Sequence, residues 1–529
     1  MIGSIIWFFL RILLALLFYA TPVLGFWLAS SLTAYLGEPP WMSWTAGALL
    51  FPVVPGILEF HAWAYRDPNK KPWFTPFDRL SLRTFALGLA FIAVLLCLFP
   101  QTAFVALSTR GDWMLDGIKD RRAAKARRVL FAAAGGLEGL YNATRTNPYK
   151  DHIGTKEKQR AEDAEQDAKQ EVAKQLDNDL PAKKSQKSVS GIDSDTSQLP
   201  SSDTTDDDGL ETDNHRMDAD MFEQVAMRPT TSVKGWPWKG AVLHHAVATM
   251  PVSVETSIKS VARYIAKEEK NPVQRIKALH DYVADRVAYD SDAFYAKKFP
   301  PQDAETVFRT RKSVCSGYAN LLAALAAAIN EQVIVVVGDV RDPSTTPDKL
   351  TPDSGHAWNA ARIAGHWYLL DSCWDSGSVS RETGFKKRYR TDYLLPPAEV
   401  MIVDHFPEEK TWQLLSKPLS QGEFLRQPML IPSFQAAALT LIAPKRAVNE
   451  SGANAVVIVK NPDKRWLMTG LEQNGKSIGE SSTPINDQTA QLKTTLPDKG
   501  AYRLNMFVSK KHDEYGKYAY IGSIDFVNR

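Results

Sequence analysis

Cysteine is scarce: the 529-residue chain holds three, Cys97, Cys315 and Cys373. Three thiols cannot build a disulfide framework. No CxxC pair exists, so zinc-ribbon and dithiol redox chemistry have no ligands to work with. An excess of one charge is also missing. Lys+Arg total 63 and Asp+Glu 60, a net of +3. Without a basic excess, nucleic acid is not an expected partner. No internal repeat is visible, and the length excludes a single small domain at about 150 residues per domain.

What the first hundred residues do hold is hydrophobic sequence. Ile12–Leu36, Trp41–Leu58 and Thr84–Leu107 carry no charged side chain. A helix needs about 20 apolar residues to cross a bilayer. The first and third runs therefore predict spans. The second, with Pro52 and Pro55, predicts a kinked span or a re-entrant segment. Three such runs in succession argue against buried core helices, and the absence of a basic leader argues against a cleaved signal peptide. The expected localisation is multi-pass in a membrane of the bacterial cell-membrane type, with the lipid bilayer as a partner. Arg and Lys flank the third run on both sides, so the positive-inside rule cannot be met by both stretches. The denser one, from Arg110 to Arg128, leans the rest of the chain toward the cytoplasm.

Beyond the membrane region (1–110), the mixture of Arg, Lys and Leu in 111–150 predicts a basic juxtamembrane helix near anionic headgroups. Residues 151–234 read as a spacer. A helix without an apolar stripe comes first, followed by a Ser/Thr/Asp-rich tether too polar to fold. Composition turns globular near Trp236. Within 235–415, Val273, Ile276, Leu279, Val283 and Val287 repeat at helical spacing. QVIVVVGDV (332–340) predicts a buried strand, and 356–363 and 366–371 predict two strands joined at Ala364–Gly365. Residues 416–529 contain short strands between Pro, Gly, Asn and Asp turns, the pattern of a β-sandwich. The fold class expected is α+β, behind transmembrane helices.

Two segments carry residues capable of chemistry. Cys315 lies in RKSVCSGYANLLAALAAAIN, where Tyr318, Leu322, Leu325 and Ile329 repeat at helical spacing. With Ser313 as N-cap, Cys315 falls in the first helical turn. Free N–H groups and the dipole there stabilise a thiolate and can donate to an oxyanion. Taken alone, a cysteine beside Ala and Leu is more often packing. The second segment is GHAWNAARIAGHWYLLDSCW (355–374). A two-residue turn at Ala364–Gly365 makes position i face 729 − i, so His356 and Asp371 become diagonal neighbours within side-chain reach. A one-residue change in that loop would send them to opposite faces. Each has an ordinary alternative: His356 as a strand-end histidine, Asp371 as a loop cap, Cys373 as a half-buried neighbour. A zinc site of Cys, His and Asp ranks below a thiol–imidazole–carboxylate arrangement because no close ligand pair is present.

Cys at a helix start, His-Ala-Trp opening a strand and Asp closing the next resemble the transglutaminase-like (papain-like thiol) superfamily. IKALHDYVADRVAYD (276–290) resembles the stretch that precedes the nucleophile in that superfamily. HAWNAARIAGHWYLLDSCWDSG (356–377) and YLLPPAEVMIVDHFPEEKTWQLL (393–415) resemble its kyphoscoliosis-peptidase and cytokinesis-protein branch. The resemblance covers about 235–529. It implies a catalytic core followed by a β-rich domain, with Cys315 as nucleophile, His356 as general base and acid, and Asp371 as orienting carboxylate. It calls for no cofactor and no metal. The implied activity is hydrolysis of peptide or glutamine-type amides through a thioester, on a protein or peptide substrate. The alternatives are a crosslinking transglutaminase and a catalytically silent membrane-tethered scaffold. Spans almost devoid of charge weaken a conduction role. Substrate, second oxyanion donor and oligomeric state are not legible.

Overall fold

The computed structural model describes residues 2–66, 73–118, 120–179, 236–342, 354–478, 484–511 and 513–528. The tether expected between the spacer helix and Trp236 lies outside the described residues.

Three helices are long and apolar enough to cross a membrane: Ala15–Tyr35, Pro40–Ala64 and Pro76–Leu98. The middle one is kinked, with non-helical backbone at Phe51 ahead of Pro52. The third apolar run differs from expectation. The helix ends at Leu98, and a new one, Pro100–Arg110, begins with Pro100 at its first position. A proline has no N–H to continue the ladder, and its fixed φ suits a helix start. Phe104, Val105, Ala106 and Leu107 are buried, Phe104 and Val105 in a cluster that also contains Trp358 and Phe424. The end of that run is therefore a core helix, not the end of a span.

The basic segment also departs from its expected place. Arg121–Gly135 is a helix, but Arg110 and Arg127 are buried, paired with Asp116 and Asp112. Arg121, Arg122, Lys125 and Arg128 remain on the exposed face. The polar helix Thr155–Asp179 is not a solvated spacer. Ala161, Ala164 and Ala168 pack against the core, and Asp167 and Glu171 bind Arg362 and His366. An alanine stripe adds little hydrophobicity to a sequence profile but lets a helix approach a sheet closely.

The sheet it covers has the order His366–Leu370, Gly355–Ile363, Gln332–Val340, His405–Pro407, antiparallel throughout. Ile363 pairs with His366 and Asn359 with Leu370, the register expected of a two-residue turn. Ala364 and Gly365 both have positive φ, as that turn requires. The strand Gly355–Ile363 is buried on both faces. Ala357, Ala361 and Ile363 meet the helices Pro272–Arg286 and Cys315–Ala327, while Trp358 and Ala360 meet the opposite layer.

At Gly338 a Cβ would stand 2.2 Å from the Phe406 carbonyl oxygen and 2.7 Å from Pro407 Cα. Backbone cannot swing aside as a side chain can. Gly338→Ala is expected to cost about 1–3 kcal/mol by forcing apart the strands Gln332–Val340 and His405–Pro407, measurable as a lowered midpoint of chemical denaturation.

C-terminal to this core, two sheets enclose one hydrophobic cluster. One contains Thr440–Ala443, Asn454–Lys460 and Thr489–Thr495. The other is built on Leu467–Gln473, Gly500–Ser509 and Tyr518–Asn528. Ala455, Val457 and Val459 face Leu504, Met506 and their neighbours within it. The alternation of buried and exposed positions is that of a sheet with one wet face.

Candidate active site

Cys315 is the first residue of the helix Cys315–Ala327, but its N-cap is Val314 rather than Ser313. Ser313 is held in a short parallel pairing, Ala288–Tyr289 beside Lys312–Ser313, and its extended backbone accepts the Asp290 N–H at 2.8 Å. That pairing brings Tyr289 to the start of the helix. The Val314 N–H donates to Gln302 Oε1 at 3.1 Å. Gly317 lets the first turn sit tightly, since a Cβ there would lie 2.6 Å from Ser313 Cβ. The N–H of Cys315, in the first turn, has no acceptor within its own helix.

His356 stands near the start of its strand, and Asp371 follows the next strand. The His356 Nε2 to Asp371 Oδ2 distance is 2.7 Å, and both groups are buried. The Cys315 thiol lies close enough to the same imidazole to favour its charged form. With Nε2 turned to the carboxylate, Nδ1 is the ring atom left for sulfur. Burial disfavours the charged imidazole, but Asp371 and Cys315 outweigh it, and the His356 pKa is pushed up to about 9. For Asp371, burial works against ionisation, and His356 and His405 overcome it, holding the carboxyl well below the usual range. Its Oδ1 accepts the N–H groups of Cys373 and Trp374 at 2.8 and 3.1 Å.

Sequence reasoning did not assign His405. Its Nε2 lies 3.2 Å from Asp371 Oδ2, and its Nδ1 lies 2.6 Å from Asp404 Oδ1. The segment containing it was visible in the sequence, but no local spacing ties a histidine at 405 to an aspartate at 371. His356, Asp371 and His405 place three donor atoms within 4.8 Å of one another. The cluster is filled by its own hydrogen bonds. A tetrahedral ion about 2.0–2.1 Å from each ligand would need its donors farther apart than the 2.7 Å found between His356 and Asp371.

A cavity of about 560 Å³ adjoins the site, with Tyr149, Tyr289, His356, Cys373, Trp374 and Phe385 among its walls. Cys373 sits at this wall, but burial, reinforced by Asp371 and Cys315, raises its pKa well above that of a free thiol. Its proton is therefore held more tightly than that of a free thiol. Trp358 lies away from the cavity, its ring 5.1 Å from that of His405. Tyr149 comes from the segment that follows the helix Glu138–Thr144. Beside it, Asn147 Nδ2 donates to the carbonyls of Gly338 and His356 at 3.0 and 3.2 Å. That segment thus forms part of the site's wall, another feature the sequence did not disclose.

A family model described as the transglutaminase-like superfamily matches residues 259–372, the stretch that contains Cys315, His356 and Asp371. Kyphoscoliosis peptidase of Mus musculus and that of Homo sapiens are each 26% identical over 270 residues, covering 50% of this chain and 40% of theirs. The Lim and transglutaminase domain protein ltd-1 of Caenorhabditis elegans is 30% identical over 117 residues, 20% of this chain and 16% of its own length. The match thus spans well under half the length of these relatives. The family model and these relatives agree on one conclusion: this chain carries a transglutaminase-like core.

Proposed function

We propose that this chain is a membrane-anchored thiol enzyme that cleaves peptide or glutamine-type amides through a thioester. The observation that carries the reading is the buried His356–Asp371 pair at 2.7 Å, with Cys315 near it at a helix N-terminus. His356 accepts the thiol proton, and the sulfur attacks the amide carbon. The Cys315 N–H is placed to donate to the developing oxyanion. His356 then protonates the departing amine as the C–N bond breaks. Water, deprotonated by the same imidazole, attacks the thioester and restores the thiol. Asp371 fixes the ring's tautomer and balances the imidazolium. A lysine amine in place of water would give crosslinking. Water is the default acceptor, so hydrolysis is preferred. The three apolar helices supply the anchor.

Complete burial of Cys315 is the one observation that favours the silent-scaffold alternative. Labelling decides between them. The full chain in detergent is treated with iodoacetamide near neutral pH and the modified cysteines are mapped by mass spectrometry. Cys315 is expected to react at least ten times faster than a model thiol, reached through the adjoining cavity. The Cys315→Ser protein is expected to trap no acyl group from activated glutamine or peptide esters. A Cys315 no more reactive than a model thiol would instead support the scaffold.

A further inference from the structure

His405 has carboxylate oxygens at both ring nitrogens, Asp404 Oδ1 at 2.6 Å and Asp371 Oδ2 at 3.2 Å. Carboxylate oxygens accept, so the ring donates twice, and only the imidazolium carries two N–H groups. All three side chains are buried, His405 at 1% and Asp404 at 0% exposure. Asp404 is fixed in turn by the Tyr393 hydroxyl, which donates to its Oδ2 at 2.5 Å. The rings of Trp358, Trp374 and Tyr393 lie 5.1, 4.5 and 5.1 Å from that of His405 and exclude water around it. We infer that His405 is a positioning residue, a protonated imidazolium locked between two aspartates. It holds Asp371 in place and weakens its pull on His356, setting the pH at which the His356 imidazolium beside Cys315 loses its proton. This rests on the thiol-enzyme reading.

The surrounding charges support it. The groups that face His405 are Asp404 just before its strand, Asp371 just after the second strand of the hairpin, His356 from the first and Tyr393 from the segment after the hairpin. The neighbouring cation, Arg341, is occupied: its guanidinium donates to the carbonyls of Val403 at 3.1 Å and Gln427 at 3.0 Å. Burial lowers the basicity of His405, but Asp404 and Asp371 outweigh it and push its pKa up to about 9. Without a partner, Asp371 would bind the His356 imidazolium more strongly. The His405 ring centre lies 5.6 Å from that of His356. A unit charge at that separation and an effective dielectric near 20 is worth about two pH units on a neighbouring titration.

The test is the pH profile of Cys315 alkylation in the full-length protein, with His405→Gln as the variant. Glutamine keeps a donor toward Asp371 and loses the charge. In the wild type the profile should inflect near pH 9, where the His356 imidazolium loses its proton. In the variant that inflection should move upward by about two units. Asp404→Asn, which releases the proton on His405 by removing one of its acceptors, should shift it the same way; Asp404→Glu should restore it. A merely structural role would lower the melting temperature and leave the inflection in place. An unmoved inflection in a folded His405→Gln or Asp404→Asn protein overturns the inference. Slow alkylation already in the wild type would instead count against the enzyme reading itself.

Discussion

His356→Ala is expected to reduce turnover of an amide substrate by about 10²- to 10⁴-fold, the usual worth of a positioned general acid and base. Substrate affinity should change little, because the imidazole acts on protons rather than on binding groups. Measuring kcat and KM separately checks this; an equal loss in both would mean that the cavity had collapsed. The wild-type pH dependence follows from the same ring. Below about pH 9 His356 can hold the proton that the leaving amine needs; above it the acid is lost and turnover falls. Stability follows the same sign. A histidine whose folded pKa is raised from 6.5 to about 9 stabilises the fold fully below pH 6.5. That contribution disappears as pH rises through 9. His356 and His405 share this behaviour. Thermal unfolding between pH 6 and 10 should therefore show a fall in midpoint that is smaller in His405→Gln.

The second large effect is expected far from the cavity, at Asp112. This carboxylate is fully buried between two arginines. Arg446 reaches it at 2.7 and 3.0 Å from the segment between the first two strands of the C-terminal sheets, and Arg127 at 3.1 Å from the basic helix. Arg446 also donates to the Thr109 carbonyl, and Arg426 donates to that of Ser108. These contacts fasten the β-sheet region to the end of the helix Pro100–Arg110. Removing one partner from a buried ion pair leaves an uncompensated charge in low dielectric, at a cost of about 3–5 kcal/mol. Asp112→Ala should therefore destabilise the chain by that amount and expose the junction to protease. Asp112→Ala with Arg446→Met should recover part of the loss, because Arg127 keeps its bonds to the carbonyls of Leu115 and Ile118. Failure of the double variant to recover any stability would show that the arginines are satisfied without the carboxylate. Burial opposes ionisation of Asp112, and the arginines, Arg446 foremost, overcome it and hold its pKa below the usual range. The stability it contributes is present above the ordinary carboxylate range and is lost as pH falls through and below about 4.

Local signals in the sequence carried the hairpin and the helix at Cys315. A two-residue turn whose second position is glycine fixes strand register. Register then decides which side chains share a face, and this register pairs His356 with Asp371 from local sequence alone. Uncharged apolar runs marked, in the same way, three helices long and apolar enough to cross a membrane. The Ser313 cap failed for a specific reason: a parallel pairing with Ala288–Tyr289 claims that residue, and pairing with a distant strand leaves no trace in nearby residue types. The polar helix Thr155–Asp179 was misjudged because alanine hardly registers as hydrophobic, yet Ala168 is entirely buried.

The amino-acid sequence by itself determined which segments are apolar enough for a membrane, where the hairpin turns and that a thiol begins a helix. Each depends on residues within a few turns of one another. Only the tertiary structure decided that Asp371 has a second histidine, that Asn147 and Tyr149 help to wall the cavity, and that the juxtamembrane arginines turn inward to Asp112 and Asp116. Apart from Arg110–Asp116, those contacts join residues 15 to 209 positions apart. Their energies arise from burying charge and excluding water, conditions that exist once the chain has folded and that no short stretch of it can encode.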